Sequence, residues 1–153
     1  MKTTFKIIIF ATCVLAVLFF FLLLSNLPKQ KLSISKVCFK ENCFKVEVAG
    51  TPQQKEQGLM FREHLDKDAG MLFIFEKEEN YPFWMKNTLI PLDIIWINQN
   101  QEVVAIKENA EPCQREECPI IDPSAYAKYV LEINGGLAEE IGLEVGDKVT
   151  LPY

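Results

Sequence analysis

The sequence predicts a compact α+β domain, predominantly β and partly barrel-like, with one or two short helices, behind an N-terminal transmembrane helix. Three observations carry that expectation. An uncharged apolar run, Ile7 to Leu24, opens the chain; short alternating segments broken by Asn, Gly and Pro follow; and only two brief stretches carry helix signals. The expected division is a signal anchor over 1–26, a linker over 27–36 and one β-rich domain over 37–153.

At ~1.5 Å per residue the apolar run reaches ~27 Å, which just crosses a bilayer. A cleaved signal peptide competes with this reading, but its apolar region usually spans about 7 to 15 residues and ends at a small-x-small site. Leu24-Ser25-Asn26-Leu27-Pro28 offers no good cleavage pair, and Thr12 before Cys13 makes a poor lipoprotein box. Lys2 and Lys6 precede the run while Lys29, Lys31 and Lys36 follow it, so positive charge alone leaves the orientation undecided. Cysteine usage decides it. Apart from Cys13 the cysteines fall into two pairs of equal spacing, Cys38/Cys43 and Cys113/Cys118, which suits disulfides in an oxidising compartment.

Lys40-Glu41-Asn42 can turn the chain and set Cys38 opposite Cys43, whereas Pro112 and Pro119 flank a loop that the second pair would staple. A four-thiolate zinc site is the rival, but such sites favour gaps of two to four residues in reducing compartments. The soluble part is therefore expected to face a periplasm or the cell exterior, tied to the membrane through residues 7–24.

Within the domain, Phe44-Lys45-Val46-Glu47-Val48 alternates as a half-buried strand should. Thr51-Pro52 begins, and Gly58 ends, one short helix. Further strands are expected at Met71 to Phe75, Asp93 to Asn98, Glu102 to Lys107, Tyr129 to Ile133 and Lys148 to Leu151, with Asn98 to Gln101 turning a hairpin. Gly136 to Ile141 can form a second helix. The glycine-punctuated turn from Gly142 to Val149 then precedes a last strand, a common way to close a small barrel. Removing Lys2 and Lys6 from the 16 Lys and Arg leaves 14 against 21 Asp and Glu, a formal charge of −7 on residues 25–153. No basic stripe exists, so nucleic acid is not an expected partner.

Polar groups interrupt an aromatic and aliphatic run at Pro82 to Trp96, where Lys86, Asn87, Thr88 and Asp93 sit among residues that read as buried strand. A charge in that setting is costly unless it is paired, hydrogen-bonded or kept for a ligand. Strand alternation puts Leu92, Ile94 and Trp96 on one face and Asp93, Ile95 and Ile97 on the other. Asp93 thus needs a cation or several N–H donors, Lys86 and Arg62 being the nearest cations in sequence, and it is either structural or functional on this evidence. Arg62 can serve Asp93, Glu132 or a ligand. Glu132 can also pair with Asp93. Met60, Met71, Met85, His64 and Trp84 make a constellation able to hold copper(I), although methionine in an apolar run is more often core. Cys113 or Cys118, if reduced, could act with His64 as base. No cofactor is expected, and no established catalytic motif is present.

The motifs Gly58-Leu59-Met60-Phe61-Arg62, Gly70-Met71-Leu72-Phe73, Phe83-Trp84-Met85-Lys86-Asn87-Thr88-Leu89-Ile90-Pro91-Leu92-Asp93, Glu111-Pro112-Cys113 with Cys118-Pro119, and Gly142 to Asp147 together resemble the domain of unknown function 192 family. The resemblance spans roughly Cys43 to Tyr153. It implies a small β-rich prokaryotic domain, often behind a signal peptide or anchor, and no established activity. The polar motif positions it carries over are Arg62, Trp84, Lys86, Asn87, Thr88 and Asp93. The leading expectation is a membrane-anchored binding or accessory domain whose cleft, formed by those six residues, receives a small polar or anionic group. An envelope enzyme using Asp93 on a cell-wall or carbohydrate substrate, and a copper(I) module, are the alternatives.

Overall fold

The computed structural model describes residues 33–151. The apolar run at 7–24 lies outside them, and among the described residues no helix is long and apolar enough to cross a membrane. β1 (Ser33–Phe39) and β2 (Asn42–Ala49) form a hairpin through Lys40 and Glu41, with Cys38 directly opposite Cys43. Both expected disulfides are formed, Cys38–Cys43 and Cys113–Cys118. Residues 33–36, expected to be linker, are the start of β1.

Thr51 caps α1 (Pro52–Gln57) as its sequence foretells. Its hydroxyl accepts from the Gln54 amide at 3.3 Å while the Gln54 side chain accepts from the Thr51 amide at 3.0 Å, a reciprocal capping box. The helix carries the chain across so that β3 (Ala69–Glu79) pairs parallel with β2. Such a crossover is invisible to strand alternation, which is the same for parallel and antiparallel neighbours. β4 (Phe83–Trp84), β5 (Leu92–Ile97), β6 (Val103–Ala110), β7 (Ile120–Ile121), β8 (Ala127–Asn134), α2 (Leu137–Glu140) and β9 (Val149–Thr150) follow. The β5–β6 turn is held by Asn98, whose side-chain oxygen accepts from the amides of Asn100 and Glu102.

Seven strands make one sheet in the order β6-β5-β8-β3-β2-β1-β9, and β4 pairs with β7 in a second, two-stranded one. The expected closure into a barrel does not occur. β9 has two residues, both paired with β1, and on the β6 side only the isolated Glu102–Lys148 bridge forms beside it. The turn before it does reach the start of β6: the Val103 amide donates to the Asp147 carbonyl and the Val149 amide to the Gln101 carbonyl, at 2.9 and 2.8 Å.

β5 and β8 are adjacent inside the sheet, between β6 and β3, and are covered on both faces. One core cluster holds Val46, Leu72, Ile95, Ile97, Leu131 and Ile133; the other holds Met71, Phe73, Leu92, Ile94, Trp96 and Val130. This is the alternation expected of β5. Asp93, on the first face, is fully buried. Its Oδ1 accepts from the amides of Asn109 at 2.7 Å and Gly136 at 2.8 Å, and its Oδ2 from Ala138 at 2.7 Å. Asn109 reaches it through an irregularity in the β5–β6 register opposite Asp93, where Asn109 adopts a left-handed φ of 45°. Gly135 sits against the same bulge, where a β-carbon would meet the Asn109 side-chain oxygen at 2.6 Å. The carboxylate therefore fastens the end of β6 and the first turn of α2 to the central strand.

Replacing Asp93 with Ala strands three amides, one of them in a fully buried bond. Each such loss costs roughly 1–3 kcal/mol, so urea unfolding of Asp93→Ala should show at least about 3 kcal/mol of destabilisation. A loss below about 1 kcal/mol would contradict this role.

Candidate functional site

The segment from Trp84 to Thr88 leaves β4 between the end of α1 and the Cys113–Cys118 loop, and backbone hydrogen bonds stitch it to both. The Cys113 amide donates to the Met85 carbonyl at 3.2 Å, the Asn87 amide to the Cys113 carbonyl at 2.8 Å, and the Phe61 amide to the Asn87 carbonyl at 2.7 Å. Phe61 and Asn87 both take left-handed φ, 63° and 55°, so this junction holds two conformations that non-glycine residues seldom adopt. Asn is among the residues that tolerate it best. The stitching directs the Trp84 ring outward, 41% exposed, and stands the Lys86 ammonium 5.4 Å from its centroid. Lys86 also donates to the Glu116 carbonyl at 3.2 Å, inside the second disulfide ring.

Beneath Trp84 lies a small cavity of about 30 Å³, room for one or two waters. Trp84, Lys86, Thr88, Lys55, Gly58 and Glu132 are among its lining residues. It shares Lys55, Glu56, Phe73, Phe83 and Trp84 with an apolar cleft of about 260 Å³ that continues along Phe75 and Tyr81. A shallow groove over Gln53, Met60, Lys86 and Asn87 meets the same Trp84 from the other side. Lys55 rests over the Phe75 ring at 4.6 Å, as Lys86 does over Trp84.

Glu132 forms the apolar end of this arrangement. On β8 it stands between Met71 of β3 and Ile94 of β5, only 5% exposed, and its Oε2 has no hydrogen-bond partner. Burial pushes its carboxyl up from 4.5 to about 8, so it is mostly protonated at neutral pH. Gly58 leaves the space above it open. A β-carbon there would come within 3.9 Å of Oε2 and 3.3 Å of the Phe73 ring, with φ already at 48°.

Of the six residues expected to form the cleft, Trp84, Lys86 and Thr88 line one cavity and Asn87 adjoins it. The other two do not join them. Arg62 is salt-bridged to Glu47 at 2.7 Å, and Asp93 is held by amides on the opposite face of the sheet. The cations proposed for Asp93 are thus not its partners, and Asp93 and Glu132 point away from each other on neighbouring strands. The copper constellation is also dispersed: Met71 is core, Met60 and Met85 line different cavities, and exposed His64 pairs with Asp66. With both cysteines of the second loop bonded, neither is a thiol for His64 to activate. Sequence reasoning left Glu132 out of the site, although a carboxylate within Tyr-Val-Leu-Glu-Ile carries the same signal that flagged Asp93. Lys55 and Glu56, on an ordinary polar helix, gave none.

The family model DUF192, described as an uncharacterized ACR, matches residues 35–151. That extends the resemblance back to include β1. The chain is 35% identical to a Sinorhizobium meliloti protein described as a candidate transcription regulator, with a TM-score of 0.74 over 81% of this chain and 98% of that one. It is 36% identical to a protein of unknown function from Novosphingobium aromaticivorans, with a TM-score of 0.69 over 78% and 84% of the two chains. No curated protein matches.

A carboxyl held near 8 in the folded chain and near its ordinary value when unfolded makes the folded state bind the extra proton between about pH 4.5 and 8. Stability contributed by this group is complete below that window and is lost as pH rises through it, by at most about 1.4 kcal/mol per unit. Unfolding across this range should show that slope in the native chain and lose it in Glu132→Gln; equal slopes would contradict the assignment.

Proposed function

We propose that this chain, which belongs to the DUF192 family, is a membrane-anchored extracytoplasmic binding domain whose ligand is a small anionic group received beside Trp84. The observation that carries the reading is the convergence of Trp84, Lys86 and Thr88 with Lys55 on one cavity. Two ammonium groups, of Lys55 and Lys86, stand over aromatic faces at its margins against one exposed carboxylate, Glu56, and the buried carboxyl is mostly uncharged, so the local balance favours negative charge. The apolar run at 7–24 and the two disulfides support the anchor and the compartment. An enzyme working through Asp93 is disfavoured, since that carboxylate already accepts three buried or half-buried hydrogen bonds. The regulator description belongs to the Sinorhizobium protein; a formal charge of −7 over residues 25–153 gives little support here for a phosphate-binding surface.

Ligand-observed NMR on the full chain in detergent micelles, with acetate, benzoate, phosphate and bicarbonate as probes, tests the reading. At least one probe should bind saturably, and Trp84→Ala or Lys86→Met should weaken it at least tenfold while each variant still unfolds in one cooperative transition. No binding by any probe, or binding indifferent to both substitutions, would overturn it. Alkylation of envelope-derived protein should find no reactive thiol among Cys38, Cys43, Cys113 and Cys118 before reduction; four reactive thiols would contradict the compartment.

A further inference from the structure

Resting on the anion-binding reading above, the geometry points to Glu132 as the ligand's hydrogen-bond donor: we propose that its carboxylic acid pairs with an oxygen of a small carboxylate whose apolar part lies along the aromatic cleft.

Three features of the fold support this. Glu132 is nine-tenths buried and lines the inner cavity, yet Oε2 has no partner among the described residues. A buried polar atom left unsatisfied in a native fold costs stability and calls for a reason. In the row across the sheet its neighbours are Met71 and Ile94, and Gly58 withholds a side chain from the space above. The cavity finally shares Phe73, Phe83 and Trp84 with the larger cleft, so a group at Glu132 would lie next to an aromatic surface. A carboxylate on a short aryl or acyl body has the matching halves.

The charged groups facing Glu132 fix the sign of the pH dependence. Lys55 and Glu56 reach the cavity from α1, and Lys86 from the segment after β4. Glu47 of β2, paired with Arg62, and Lys107 of β6 stand in the same row across the sheet, each two strands away, roughly 10 Å. Tyr81, in the outer cleft, is held above its ordinary range chiefly by burial. Burial brings the Glu132 carboxyl to about 8, so its ionisation falls inside the pH range that the ligand would report. Protonated, it donates to a carboxylate; ionised, it repels one.

Benzoate binding to the full chain in micelles, followed between pH 6 and 9 with benzylammonium as the contrasting probe, decides the matter. Benzoate affinity should be constant below about pH 7 and fall up to tenfold per unit once Glu132 ionises, near 8. Glu132→Gln, whose amide still donates, should keep affinity within about threefold at pH 6.5 and abolish the pH dependence; Glu132→Leu should lose at least tenfold. If benzoate binds through Trp84 and Lys86 but with a flat profile in the native chain, Glu132 is not the donor and the anion site stands without it. If benzylammonium binds instead and tightens above pH 8, Glu132 is a receptor for cations and the proposal fails. If benzoate does not bind at any pH, the carboxylate proposal fails, and binding of phosphate or bicarbonate decides separately whether the anion site survives.

Discussion

β5 and β8 lie side by side inside the sheet with core on both faces, so every β5 side chain and those of β8 from Tyr129 to Ile133 are taken out of water. Each strand nonetheless holds one carboxyl, and alternation sends the two to opposite faces. Asp93 meets three backbone amides; Glu132 meets methionine, isoleucine and phenylalanine, and an open cavity. A buried carboxyl in apolar surroundings retains its proton, as Glu132 does at neutral pH. The same constraint thus yields two different objects. Asp93 is a fastening between sheet, bulge and helix, and Glu132 is an acid with nothing to donate to.

The second object is accessible because of how the neighbouring chain is pinned. Phe61, Asn87 and Cys113 exchange backbone hydrogen bonds that fix the Trp84–Thr88 segment, whose Trp84, Lys86 and Thr88 line the cavity beside Glu132. The Cys113–Cys118 bond closes the loop whose Glu116 carbonyl accepts from Lys86. A disulfide far from the carboxyl in sequence therefore helps to set the position of a cation above it. The left-handed backbone at Phe61 and Asn87 is a local cost that the surrounding bonds sustain.

Much of this was legible in the residues. Thr51-Pro52 and Gly58 delimit α1, period-two alternation assigns the two faces of β5, and equal cysteine spacing identifies both disulfides. A lone carboxylate in an apolar strand correctly marked Asp93 as needing donors. What the pattern could not supply was their identity, because backbone amides from Asn109, Gly136 and Ala138 have no sequence signature and arrive through a bulge. Arg62 was assigned to the wrong neighbourhood for a similar reason: its partner Glu47 lies on β2, brought near by the parallel β2–β3 pairing that alternation cannot detect. The β4–β7 pair is too short to show a period, and β9 too short to close the sheet.

The donor role of Glu132 depends on a neutral carboxylic acid beneath Trp84. Carbon-13 NMR of the Glu132 carboxyl, followed through a pH titration of the full-length chain without added ligand, measures that state directly. A midpoint near 8 is the predicted result, and a midpoint within about one unit of the ordinary glutamate value near 4.3 would show the carboxylate to be charged at neutral pH and contradict the account.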